Sequence, residues 1–112
     1  MAYYVVRSEQ GPSWNPSLPM REQTLWSEHA AYINSLLATD KMLLGGPIGD
    51  GNPYRAMVVL IASNEAEVRE RLAKDPWYAA GVLQPVTIEG WNMIATNDKL
   101  DPALALIATG SG

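Results

Sequence analysis

The single histidine of this 112-residue chain, His29, stands in the stretch LWSEHAAYI at residues 25–33. Imidazole titrates near neutral pH, which makes it the natural carrier of a proton in general acid–base chemistry. Leu25, His29, Ile33 and Leu36 follow at spacings of four, four and three residues. That periodicity places the imidazole on the apolar stripe of an amphipathic helix, which Trp26, Ala30 and Leu37 widen. Two readings stand on the residues alone: a histidine satisfied within a core, or a proton carrier facing a pocket.

Other side chains of chemical interest carry similar pairs of readings. Trp14, Trp26 and Trp77 can wall an apolar pocket for a ring, or fill a core. Gly45, Gly46 and Pro47 form a turn that also lets a ligand approach the backbone, but they lack the phosphate-loop pattern. Arg7 and Arg55 can each meet a ligand carboxylate or only solvent. Ser8, Ser13 and Ser27 have no nucleophile context, because no G-x-S-x-G is present. Asp75 precedes Pro76 and reads as a routine N-cap. Glu65, Glu67 and Glu70 read as a solvated helix face, with Glu67–Arg71 an i,i+4 ion pair.

Composition narrows the chemistry. The chain has no cysteine, which removes disulfides, thiolate nucleophiles and Cys-ligated metals. With one histidine, a multi-His metal site within one chain is also excluded, so no metal is expected and no cofactor is called for. Eight Lys+Arg against 12 Asp+Glu give a net charge of −4, with no basic run to hold nucleic acid. No apolar run is long enough for a membrane span. The start MAYYVVRS lacks the basic and apolar regions of a signal peptide, so the expected location is cytoplasmic. A small molecule or another protein is the expected partner.

The elements that must position these residues follow from periodicity and punctuation. Residues 2–8 alternate as a strand. Residues 9–19 hold three prolines and form a loop that is long for one small domain; with Trp14 it is expected to close over a pocket. The stripe around His29 predicts a helix over 20–39, and KMLLGGPI at 41–48 a short strand ending in a turn. Residues 55–62, RAMVVLIA, form an apolar central strand. Ser63 or Asn64 caps a second helix, with Glu67 completing a capping-box-like start and Val68 and Leu72 facing inward. Residues 75–81 make one extra turn, with Asp75 as N-cap, Pro76 at N1 and Gly81 as the stop. The last strand, 82–95, turns Val86 and Ile88 inward, has a bulge at Gly90, and has Pro85 marking an edge or another irregularity.

The order β-α-β-β-α-β predicts an α+β, ferredoxin-like sandwich over residues 1–95. Strand 55–62 is apolar at nearly every position, which asks for a second layer beyond the two helices. A homodimer packed sheet face to sheet face is the expected solution. The 96–112 tail, with a short apolar helix at 102–108, is expected to brace the partner subunit.

Four pieces of the chain resemble the YCII-related family of the dimeric α+β barrel superfamily, from about residue 3 to 93. They are the YYVV strand, the His29 segment with its run into KMLLGGP, the VVLIASNEAEV passage, and DPWYAAGVL, similar to a DP-aromatic-x-x-AG block. The resemblance implies a His–Asp pair in a cleft between helices and sheet, falling on His29 and Asp75. It also implies chemistry near aromatic catabolism, where a chlorohydroxyquinol dehydrochlorinase is similar. The wider superfamily includes muconolactone isomerases, monooxygenases and haem enzymes, so fold alone does not choose the reaction.

The expected function is a cofactor-independent lyase or isomerase acting on a small cyclic or aromatic intermediate. His29 transfers the proton, Asp75 orients it, and Trp14, Trp26, Gly46, Pro47 and Trp77 bind substrate. The alternatives are a non-catalytic small-ligand-binding or accessory module, and a structural dimer with a vestigial cleft and a packed His29.

Overall fold

A computed structural model of the chain describes residues 2–97, 99 and 100. Its strands are β1 (Ala2–Gln10), β2 (Met42–Ile48), β3 (Arg55–Ala62) and β4 (Leu83–Trp91). Its α-helices are α1 (Trp26–Ala38), α2 (Glu65–Ala73) and α3 (Pro76–Ala79), with a 3-10 turn at Met20–Glu22. The strands form one sheet in the order β2-β3-β1-β4, and every neighbouring pair is antiparallel. This is the ferredoxin-like α+β arrangement expected from the element order.

Alternation along the strands divides the sheet into two faces. Val6, Leu60 and Ala62 meet Leu36 of α1 and Val68 and Leu72 of α2 in one buried cluster. Tyr54, Ala56, Trp77, Val82 and Leu83 make a second cluster, with Trp14, Met20 and Trp26 packed at its margin. On the opposite register of β3, Val59 and Ile61 are buried as well. Tyr3, Val5 and Met57 share that face and are half-buried, while Leu44 and Trp91 at its sides are exposed.

The helix expected over 20–39 is shorter. It starts at Trp26, because Leu25 adopts a left-handed backbone (φ 62°) that breaks the approach to the helix. Ahead of it, the buried Gln23 side chain donates to the carbonyls of Asn15 (2.7 Å) and Leu18 (2.8 Å) and accepts from the Asn15 N–H (2.9 Å). This amide holds residues 15–23 in a folded loop that takes in the first residues of the predicted helix. Leu25 and Leu37, both assigned to the stripe, are exposed.

The bulge expected at Gly90 lies elsewhere. The β1–β4 register shifts where Arg7 faces Thr87 and Ser8 faces Pro85, leaving Val86 as the extra residue. Pro85 cannot donate to the ladder, so the irregularity falls beside it on this edge strand. Val86 is 57% exposed rather than inward, whereas Ile88 packs against the first cluster. The helix expected at 102–108 lies outside the described residues.

The second half of the chain follows its local signals. The Asn64 side chain accepts the Glu67 N–H (2.9 Å) and caps α2. Gly81 ends α3 with φ 75°, a backbone that a Cβ would strain. Its carbonyl accepts the Ser13 N–H (2.9 Å), and Val82 accepts the Gly11 N–H (2.8 Å). These bonds fasten the loop after β1 to the start of β4.

Candidate active site

α1 and the turn into α3 lie on the same face of the sheet, and that placement brings His29 to Asp75 across 46 residues of sequence. Nδ1 of His29 lies 2.8 Å from Oδ1 of Asp75 and 3.0 Å from Oδ2. A carboxylate can only accept, so the imidazole donates through Nδ1–H and leaves the Nε2 lone pair free. Nε2 has no partner among the described residues, and His29 borders a cavity. Asp75 is buried, and its Oδ1 also accepts the Trp77 N–H at 2.9 Å. The cap that starts α3 and the acceptor that orients the imidazole are one side chain.

Trp77 supports the pair from behind. Its ring stacks on the imidazole, with centroids 4.0 Å apart and planes at 6°, and its Nε1–H donates to the Thr24 carbonyl at 2.8 Å. Trp14 stacks on Tyr54 at 4.4 Å and meets Trp77 edge-on at 5.8 Å. Both tryptophans therefore depart from the expectation of ligand contact. Trp77 is fully buried and Trp14 packs against the second core cluster; neither borders the cavity. The loop carrying Trp14 is strapped to the body of the domain and does not close over the pocket.

The cavity measures about 340 Å³ and lies between α1, the sheet and the turn into α3. That is the size range of small-molecule sites. Of the expected residues, His29, Asp75, Trp26, Gly46 and Pro47 border it. Pro47 and Gly45 share the helix-side register of β2, opposite Ala56 and Val58, while Gly46 takes the other register and contributes backbone. A Cβ at Gly45 would come within 2.5 Å of the Val58 side chain, so the close approach of β2 here depends on glycine. Arg7 and Arg55 do not border the cavity.

Sequence reasoning missed others that do, among them Arg71, Tyr32, Arg21 and Tyr78. Arg71, assigned to a solvated helix face, is buried. Its Nη1 donates to the carbonyls of Lys41 (2.9 Å) and Ile61 (2.6 Å), and Nη2 pairs with Glu67 at 2.8 Å. Tyr32, one turn beyond His29, donates to the Arg71 carbonyl at 2.7 Å and so closes α1 onto α2. Arg21 lies at the cavity's border with its guanidinium 5.9 Å from the Trp26 ring centre. Tyr78 borders the cavity and its hydroxyl meets the buried Ser8 hydroxyl. The Glu67–Arg71 spacing left a trace in the sequence; Arg21 meets Trp26 five residues on, while Tyr32 and Tyr78 depend on pairings between distant segments. No group of three potential metal-ligating side chains forms among the described residues, and none of their helices is long and apolar enough to cross a membrane.

Burial raises the pKa of all three tyrosines in this region. It acts alone on Tyr54; at Tyr32 the Asp75 charge adds to it and Arg71 opposes it. Tyr78 is pushed up to about 12, mainly by burial, against the opposing hydrogen bond from Ser8. A folded-state pKa above the unfolded value binds the proton more tightly in the native protein. Its stabilising contribution is complete below about pH 10 and is lost as pH rises towards about 12. For Tyr78 this removes about 1.4 kcal/mol of unfolding free energy per pH unit across that window. Urea denaturation at pH 9, 10 and 11 is expected to show this fall, and Tyr78→Phe is expected to make it shallower. An equal slope in the two proteins would contradict the assignment.

The chain belongs to the YCII-related domain family, whose description matches residues 1–92. Among solved structures it is similar to 5-chloro-2-hydroxyhydroquinone dehydrochlorinase from Burkholderia phenoliruptrix, determined in complex with 2,5-dihydroxybenzoquinone. The two share 25% sequence identity over 82% of this chain and 94% of that one, with a TM-score of 0.60. No curated protein matches the chain significantly.

Proposed function

We propose that this protein is a lyase that eliminates a leaving group from a small oxygenated ring, with His29 as the proton carrier and Asp75 as its positioning partner. The observation that carries this reading is the 2.8 Å His29–Asp75 contact at the edge of the cavity, with Nε2 unpartnered among the described residues. The similarity to a dehydrochlorinase that binds a dihydroxybenzoquinone supports a ring substrate.

For a chlorinated trihydroxybenzene the balance is simple. Nε2 removes a hydroxyl proton and a proton is delivered to the chlorine-bearing carbon. The C–Cl bond then breaks and chloride leaves with the bonding electrons. A second hydroxyl proton is lost, and the ring is left as a hydroxyquinone. The net change is loss of HCl, with no external oxidant. An isomerisation in which the same base moves a proton between neighbouring carbons uses the same groups. The test is chloride release from 5-chloro-2-hydroxyhydroquinone, followed together with quinone absorbance. Binding of 2,5-dihydroxybenzoquinone without chloride release or quinone formation would instead support a ligand-binding module.

The proposal includes a homodimer through the far face of the sheet, where Tyr3, Val5, Leu44, Met57 and Trp91 leave apolar surface open. A monomeric mass in sedimentation at micromolar concentration would remove that part and leave the chemistry in place.

A further inference from the structure

Tyr78 and Ser8 touch each other through their hydroxyl groups, and neither hydroxyl has another partner among the described residues. The pair owns two hydroxyl hydrogens, and one bond between them uses one. The surplus hydrogen belongs to Ser8 or to Tyr78. Ser8 is 3% exposed and does not border the cavity, so a free Ser8 O–H would be a buried donor without an acceptor. Tyr78 does border the cavity, together with His29, Asp75 and Tyr32. The lower-energy arrangement has Ser8 donating to the Tyr78 oxygen and Tyr78 presenting its own hydrogen to whatever occupies the cavity.

From this count we infer that Tyr78 is a substrate-binding residue, donating a hydrogen bond to an oxygen atom of a ring held beside His29. Ser8 acts through it, as the positioning residue that fixes the phenol. The inference deepens the reading above by naming a ring oxygen as the feature recognised. A phenol that resists ionisation up to about pH 12 stays a donor throughout the neutral range. Fixing that oxygen also fixes which ring carbon lies nearest Nε2, so the bond selects position as well as chemistry.

The test compares two probes of similar ring size in NMR titrations: 2,5-dihydroxybenzoquinone, which carries ring oxygens, and p-xylene, which carries none. Tyr78→Phe is expected to weaken the quinone about tenfold and leave p-xylene within twofold. Ser8→Ala removes the bond that orients the phenol hydroxyl and is expected to weaken only the quinone, by a smaller factor. Equal weakening of both probes in Tyr78→Phe would make Tyr78 a structural wall and overturn the inference. So would unchanged quinone binding, or a wild-type protein that accepts p-xylene and not the quinone. A Tyr78-dependent quinone site that releases no chloride keeps this inference and removes the lyase reading. Chloride release indifferent to Tyr78→Phe does the reverse.

Discussion

Replacing His29 with glutamine is expected to lower chloride release from 5-chloro-2-hydroxyhydroquinone by about 10²–10⁴-fold while leaving affinity for 2,5-dihydroxybenzoquinone nearly unchanged. The glutamine amide can still donate to Asp75, so the buried carboxylate keeps a partner and the fold is not put at risk. What disappears is the Nε2 lone pair. Steady-state kinetics separates the outcomes, since loss of a proton carrier falls on kcat and loss of a binding contact falls on KM.

Asp75→Asn is expected to be nearly as damaging, for a different reason. Oδ1 of Asp75 serves both the Trp77 N–H and the imidazole. Asparagine keeps one carbonyl oxygen for the Trp77 N–H and puts its NH2 group at the Oδ2 position, 3.0 Å from Nδ1. The NH2 group then faces His29, so Nδ1 must accept and Nε2 carries the proton. The histidine is present in the wrong tautomer and cannot act as a base. A variant with full activity would show that the carboxylate only caps α3. A variant that loses quinone binding along with turnover would place Asp75 in ligand binding.

The second large effect concerns stability. Trp77→Ala is expected to lower the unfolding free energy by about 3–5 kcal/mol, the usual cost of removing a buried large aromatic side chain. Trp77 has no exposed surface. Its loss removes the stacking surface under His29, the edge contacts to Trp14 and Tyr54, and the bond to the Thr24 carbonyl. A midpoint lower by more than about 10 °C in thermal unfolding would agree with that range. Trp26→Ala, at a half-buried position on the cavity border, is expected to cost less. If the two variants proved equally stable, Trp77 would not be the keystone of the second cluster.

Much of this architecture is local in origin, and for that reason the sequence alone determined it. β3 spans 55–62 as its β-branched run indicates. Asn64 caps α2, and Asp75 with Pro76 starts α3, because these signals act within three or four residues. His29 on an apolar stripe was legible as a residue bordering the helix–sheet space. The start of α1 was not, since the left-handed Leu25 and the Gln23 bonds oppose the apolar periodicity. The bulge at Val86 depends on pairing between β1 and β4, which no single segment encodes.

The site divides along the same line. Residue types and spacing put the imidazole on the helix stripe, and the family resemblance paired it with Asp75, which the structure brings within 2.8 Å. Only the tertiary structure decided that Trp77 lies under the imidazole and out of reach of the cavity, and that Arg71 turns inward to two backbone carbonyls. It also decided that Tyr78 meets Ser8 from 70 residues away. Short-range periodicity says which face a side chain takes. Where two faces meet, and which polar groups must satisfy one another there, is set by packing between segments distant in the chain.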